Sequence, residues 1–155
     1  MAFMSAERER RGTDGSDLGP GSWRLPAGVD SVPRARHLTA QRLDELHVDD
    51  AGVRATAELL VSELVSNVIK HTDSRPTLHV GRDDQLVRIE VSDGEPVGVP
   101  MERDVDLDAE HGRGLLLVSA LASAWGYDRS DEGKRIWVEL DLRQESVLNS
   151  DPSDR

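Results

Sequence analysis

The stretch LHVGRDDQLVRIEVSD, residues 78–93, carries the reading of the fold. Leu78 and Val80 alternate with polar neighbours, and after Asp83-Asp84 so do Val87, Ile89 and Val91. Period-two alternation is the mark of a strand with one buried face, and paired acids between two such runs suit a hairpin turn. The second run then breaks its own rule. Asp93 falls where the next apolar side chain belongs, so period two aims a carboxylate at the core face of the strand end. Such a carboxylate is costly unless something binds it, and Gly94 behind it lets the chain turn sharply and a flat ring approach the backbone. The amino group of adenine is a fitting donor. The competing reading has Asp93 capping its own turn, as Asp before Gly often does.

Working outward, the same alternation returns in Ile136, Val138, Leu140 and Leu142, a third half-buried strand. Trp23-Arg24-Leu25-Pro26 suits a short edge strand, because Pro26 forbids a central place. Between these lie helical patterns. Asp30 or Ser31 can cap a helix that reaches about His47, with Pro33 in its opening turn and Ala35, Leu38, Leu43 and Leu46 inward. A second helix starts near Asp49 or Asp50 and ends by Thr72, and a third runs from about Arg113 to Ala124 after a loop from Gly94 to His111. Hairpin-linked strands with amphipathic helices predict an α+β fold, a two-layer sandwich whose mixed, mostly antiparallel sheet carries its helices on one face. The expected domain spans residues 21–143, between disordered tails at 1–20 and 144–155 that lack hydrophobic period.

On the second helix, Val53, Ala57, Leu60, Val61, Leu64 and Val68 form the apolar face. With Ala57 at zero, Glu63, Asn67 and His71 fall at roughly 240°, 280° and 320° on the wheel, a row along the margin of that face. Asn67 shares a sector with Leu60, where an apolar side chain would be cheaper, so its amide should have something to bind. An amide oxygen is a hard ligand suited to magnesium, and a carboxylate one turn away can orient or deprotonate a nucleophile. Lys70 and His71 at the helix end can meet phosphate. Boundary residues with no further role are the plainer account of the same row. Near the third helix, His111-Gly112-Arg113-Gly114-Leu115 lets backbone N–H groups converge at a helix start, where phosphate is favoured. Alone, Gly-x-Gly is weak evidence. Leu117 stands where a dinucleotide fingerprint needs Gly, and no Gly-Lys-Ser/Thr makes a Walker loop. Asp104, Asp106 and Asp108 open like a calcium loop, but Ala109 and Leu115 occupy its diagnostic glycine and glutamate places.

Composition narrows the class. The chain has 155 residues, 30 Asp and Glu against 19 Lys and Arg, and a net charge of −11, which argues against direct nucleic-acid binding. No cysteine is present, which removes disulfides, thiolate zinc sites and cysteine nucleophiles. No apolar run is long enough for a membrane span, and residues 1–17 lack a signal core, so a cytoplasmic protein without a membrane partner is expected.

Taken in order, these motifs resemble the ATP-binding domain of the GHKL (Bergerat-fold) superfamily. Glu63 to His71 is similar to its N box, Val91-Ser-Asp93-Gly94 to its first glycine box, and Gly112-Arg113-Gly114-Leu115 to its second. The similarity covers roughly Trp23 to Leu142. Ala35-Arg36, Ser62 to Asn67 and Trp125-Gly126 draw it toward the small bacterial anti-sigma-factor serine kinases and related stand-alone ATP-binding regulators. The resemblance implies a Bergerat-type sandwich containing a left-handed βαβ unit, with ATP and Mg2+ as cofactors. It implies Asn67 as the metal ligand, Glu63 as catalytic base and Asp93 as the adenine contact. Lys70, His71, Gly94, Gly112, Arg113, Gly114 and Leu115 complete the nucleotide-binding set. Partners implied are a small anti-sigma antagonist and a sigma factor, and a homodimer is compatible with the family. Two features depart from it. Glu95-Pro96-Val97 replaces the usual further glycines, and no phosphoacceptor helix pair precedes the domain, so a complete sensor histidine kinase is not expected. The leading expectation is a serine/threonine protein kinase; the alternative is a non-catalytic ATP-dependent protein-binding switch.

Overall fold

The computed structural model describes residues 18–71, 75–93, 112–130 and 133–143. In chain order come β1 (Ser22–Arg24), α1 (Ser31–Glu45), α2 (Ala51–His71), β2 (Thr77–Asp83), β3 (Leu86–Ser92), α3 (Gly112–Leu121), β4 (Ala124–Ser130) and β5 (Gly133–Asp141). The expected tails, up to residue 17 and from Gln144, and the acidic loop from Gly94 to residue 111 lie outside the described residues.

One five-stranded sheet has the order β1-β2-β3-β5-β4, and every neighbouring pair is antiparallel. The two alternating runs pair as read, Leu78 with Val91 and Val80 with Ile89. The turn between them places Asp84 at φ 51°, a left-handed conformation Asp tolerates. Because β5 lies between β3 and β4, those two strands run parallel without touching, joined through α3. β1 is the short edge strand anticipated from Pro26, and at its start Gly21 has φ 78°. A Cβ there would strike the Val80 carbonyl, which already accepts from Arg42 Nε at 3.2 Å.

The core is single. Leu78, Val80, Val87, Ile89, Val91, Val138 and Leu140 meet Ala57, Leu60, Val61, Leu64 and Val65 of α2, with Ala35, Leu38 and Leu43 of α1 beside them. Helices therefore cover one face of the sheet. At the start of α2 the Asp50 carboxylate accepts from the Val53 amide at 2.8 Å, a side-chain cap of the expected kind. Asp30 precedes α1 without any side-chain cap bond. Arg54 ties the two helices into a hairpin, reaching Asp44 at 2.8 Å and the Ala40 and Val48 carbonyls at 3.2 and 3.0 Å.

Two expectations are corrected. Neither Asp30 nor Ser31 caps α1, since the Asp30 side chain makes no cap bond and the buried Ser31 Oγ has no partner among the described residues. The third helix stops at Leu121, and Ala124 opens β4 instead of closing that helix. The other sheet face carries polar side chains laid across it: Ser22 Oγ and His79 Nδ1 are 2.7 Å apart. Glu90, only 3% exposed, accepts from Arg88 at 3.0 Å, and Arg88 lies 4.4 Å over the Trp137 ring.

Candidate functional site

Asn67 sits in the penultimate turn of α2 and is 8% exposed, yet among the described residues its Nδ2 has no hydrogen-bond partner. The helical wheel explains the burial, since Asn67 shares its sector with the fully buried Leu60. A buried amide donor left unpaired costs about 1–3 kcal/mol, so the fold tolerates Asn67 without using it. One turn earlier Glu63 is half-buried, with no side-chain hydrogen bond or ion pair among the described residues. Lys70 is exposed, one residue before the helix ends. His71 closes the helix, and its side chain lies outside what is described.

Asp93 follows β3 and is 5% exposed. Its main-chain N–H donates to the Lys134 carbonyl at 3.0 Å, and its Oδ1 accepts from the Lys134 N–H at 3.1 Å. The carboxylate is therefore bonded across to β5, while the turn that it would cap lies outside the described residues. The second oxygen makes no hydrogen bond among the described residues and remains available as an acceptor. No signal in the sequence points to Lys134, because the partner is its main chain.

α2 packs on β3 and β5, so Asn67 and Asp93 stand on elements of one packed unit. Gly112, Arg113, Gly114 and Leu115 form the first turn of α3, which also packs on α2. A first turn leaves backbone N–H groups without helical partners, the donors the sequence assigned to phosphate. Gly94 lies outside the described residues. Among the described residues no group of three or more His, Asp or Glu could hold a metal by itself. A metal at Asn67 would complete its shell with phosphate and water oxygens, which is magnesium's usual habit. The unpaired Asn67 Nδ2 is a donor that suits an acceptor such as a phosphate oxygen, the Asn67 carbonyl oxygen is the atom that would meet magnesium, and the half-used Asp93 carboxylate suits a base amino group.

A profile described as a histidine kinase-like ATPase domain matches residues 25–140, most of the chain. The chain belongs to this family. The family's description as an ATPase domain implies ATP as the nucleotide that the domain binds. Among solved structures, the histidine kinase AdeS of Acinetobacter baumannii is similar with a TM-score of 0.47 and 14% identity. That match covers 59% of this chain and 48% of AdeS, so the chain spans about half that kinase's length. No curated protein matches the chain. No helix among the described residues is long and apolar enough to cross a membrane.

Proposed function

We propose that residues 21–143 form an ATP-binding serine/threonine protein kinase that acts on a small anti-sigma antagonist and itself binds a sigma factor. The observation that supports the site is the buried Asn67, whose Nδ2 has no partner among the described residues, one helical turn after Glu63. The class of acceptor rests on the resemblance of Ser62 to Asn67 and Gly112 to Leu115 to the small regulatory kinases.

In this reading Asp93 accepts the adenine amino group on its free oxygen, while Lys134 holds the other. Lys70, His71 and the main chain of Gly112, Arg113, Gly114 and Leu115 face the phosphates, with Gly94 beside the base. The Asn67 amide oxygen would hold magnesium, which when bound would neutralise charge on the phosphate oxygens. Glu63 accepts the proton of the incoming hydroxyl. The new bond joins that oxygen to the γ-phosphorus, the bond to the β-bridging oxygen breaks, and ADP leaves. Most of the catalysis is then positioning and charge stabilisation.

Glu95-Pro96-Val97, in place of further glycines, favours a second reading, a switch that binds ATP and a partner without transferring phosphate. Incubation of the protein with radiolabelled ATP, magnesium and a candidate antagonist separates the two. Label on a serine or threonine of the antagonist supports the kinase. ATP binding without transfer to any antagonist leaves the switch, and no ATP binding rejects both.

A further inference from the structure

The two edges of the sheet differ in how open they are. β1 is three residues long and Leu25-Pro26 follows it at once, so that edge offers little to a further strand. β4 is seven residues long, holds no proline, and among the described residues pairs only with β5. Its outer row of main-chain groups is a template for another strand. Trp125 lies opposite Val138 and Tyr127 opposite Ile136, and opposed residues share a face. Val138 is buried in the core, so both aromatics stand on the helix face of the sheet at its open edge, 38% and 37% exposed. On the other face the place is filled, since the Trp137 ring lies across Gly126. Two aromatic side chains at i and i+2 on an open edge form an apolar stripe that gains from being covered.

The chain itself supplies a cover. β5 brings its end to the start of β4: the Asp141 N–H donates to Ser123 Oγ at 2.9 Å, and the Ser123 N–H donates to the Glu139 carbonyl at 2.8 Å. Ser123 stands two residues before Trp125. Residues 144–155 follow from this corner, outside the described residues, and Val147 and Leu148 are their only large apolar side chains apart from Pro152. Six or seven residues counted from Asp141 span at most about 20–25 Å. Trp125 and Tyr127 lie about 7 and 14 Å from Ser123 along the strand. Residues 1–17 also lie outside the described residues, but they join at β1, four strand spacings or about 19 Å across the sheet. A short tether gives an effective concentration in the mM range, so a contact of only two side chains can hold.

We propose that Val147 and Leu148 pack on Trp125 and Tyr127, so that residues 144–155 cover the open edge of β4 and keep it from pairing with a second copy of the chain. None of these four residues belongs to the proposed nucleotide set, so ATP titration reports separately on the kinase reading.

The test is 19F NMR of the whole chain carrying 5-fluorotryptophan, its three signals assigned with Trp125→Phe and Trp23→Phe. The chain has no cysteine, so Asn149→Cys takes a nitroxide label at one place. The label should broaden Trp125 and leave Trp23, at the opposite edge, sharp. Adding Val147→Ser/Leu148→Ser should abolish the broadening and open Trp125 to a soluble gadolinium chelate, whereas Phe3→Ser/Met4→Ser should change neither. Unmoved Trp23 and Trp137 signals show that each variant is folded. In light scattering at NMR concentration the unlabelled Val147→Ser/Leu148→Ser chain should associate and wild type should not. No broadening of Trp125, broadening that survives the double variant, or the same solution mass for both proteins would each overturn the proposal. So would protection of Trp125 that is lost in the Phe3/Met4 variant instead, or that arises only when wild type dimerises.

Discussion

At the scale of single residues, the proposed reading gives the two oxygens of Asp93 separate duties, and substitution can part them. Asp93→Asn keeps an oxygen for the Lys134 N–H but turns an N–H2 donor toward the base. Its melting temperature should stay near wild type while preference for ATP over GTP collapses in a competition titration. Asp93→Ala removes both duties, so discrimination should fall by about 1–3 kcal/mol and stability should fall with it. Retained preference in both variants would displace adenine from Asp93. Asn67→Ala should behave differently. Its Nδ2 has no hydrogen-bond partner among the described residues, so thermal stability should hold or rise, while magnesium-dependent ATP affinity drops in calorimetry. Glu63→Gln should leave ATP affinity within a few-fold and lower phosphoryl transfer by on the order of 10²–10⁴, the usual worth of a positioned base. Equal transfer by variant and wild type would remove the base role from Glu63. Asn67 and Asp93 were visible in the sequence because each breaks a hydrophobic period. Lys134 was not, because a main-chain donor leaves no trace in residue identity.

At the scale of elements, β4 shows where pattern reading stops. Its neighbour α3 ends in Val118-Ser-Ala-Leu121, and the small residues Ala122, Ser123 and Ala124 prolong the helical look of the sequence. The strand that follows pairs on one side only, so Trp125 and Tyr127 remain partly exposed and the alternation reads weakly. What makes the pairing close is Gly126. The Trp137 indole of β5 lies across it, and a Cβ at 126 would strike the ring. Gly126→Val should therefore displace Trp137 and the Arg88 guanidinium stacked on it, costing about 1–3 kcal/mol by overpacking. Chemical denaturation measures the cost, and a neutral result would mean the ring moves aside freely. The long helices and inner strands were legible for the opposite reason: α2 and β3 bury one continuous face, which imposes a clean period.

At the scale of the whole molecule, the acid excess bears on stability through few groups. Asp141 is held down to about 2 from 3.8 by its hydrogen bonds to the Arg143 side chain and main chain. Its folded value lies below the unfolded one, so its contribution is fully present above about pH 4 and is lost as pH falls toward 2. The pair is exposed and screened by salt, so the effect on overall stability is small. Carboxylate NMR titration gives the direct test: in Arg143→Ala, Asp141 should return toward 3.8. A value still near 2 would place the cause elsewhere.

The strand order has a consequence for synthesis. β5 leaves the ribosome last among the strands, yet it occupies the inside of the sheet between β3 and β4. A nascent chain that ends at Ser130 holds β4 with no neighbour, β3 with one edge bare, and Asp93 without the Lys134 amide that sets its carboxylate. Nucleotide recognition should then switch on abruptly as residues 133–141 emerge from the exit tunnel. A chain arrested before them, or truncated to residues 1–132, should retain no ATP.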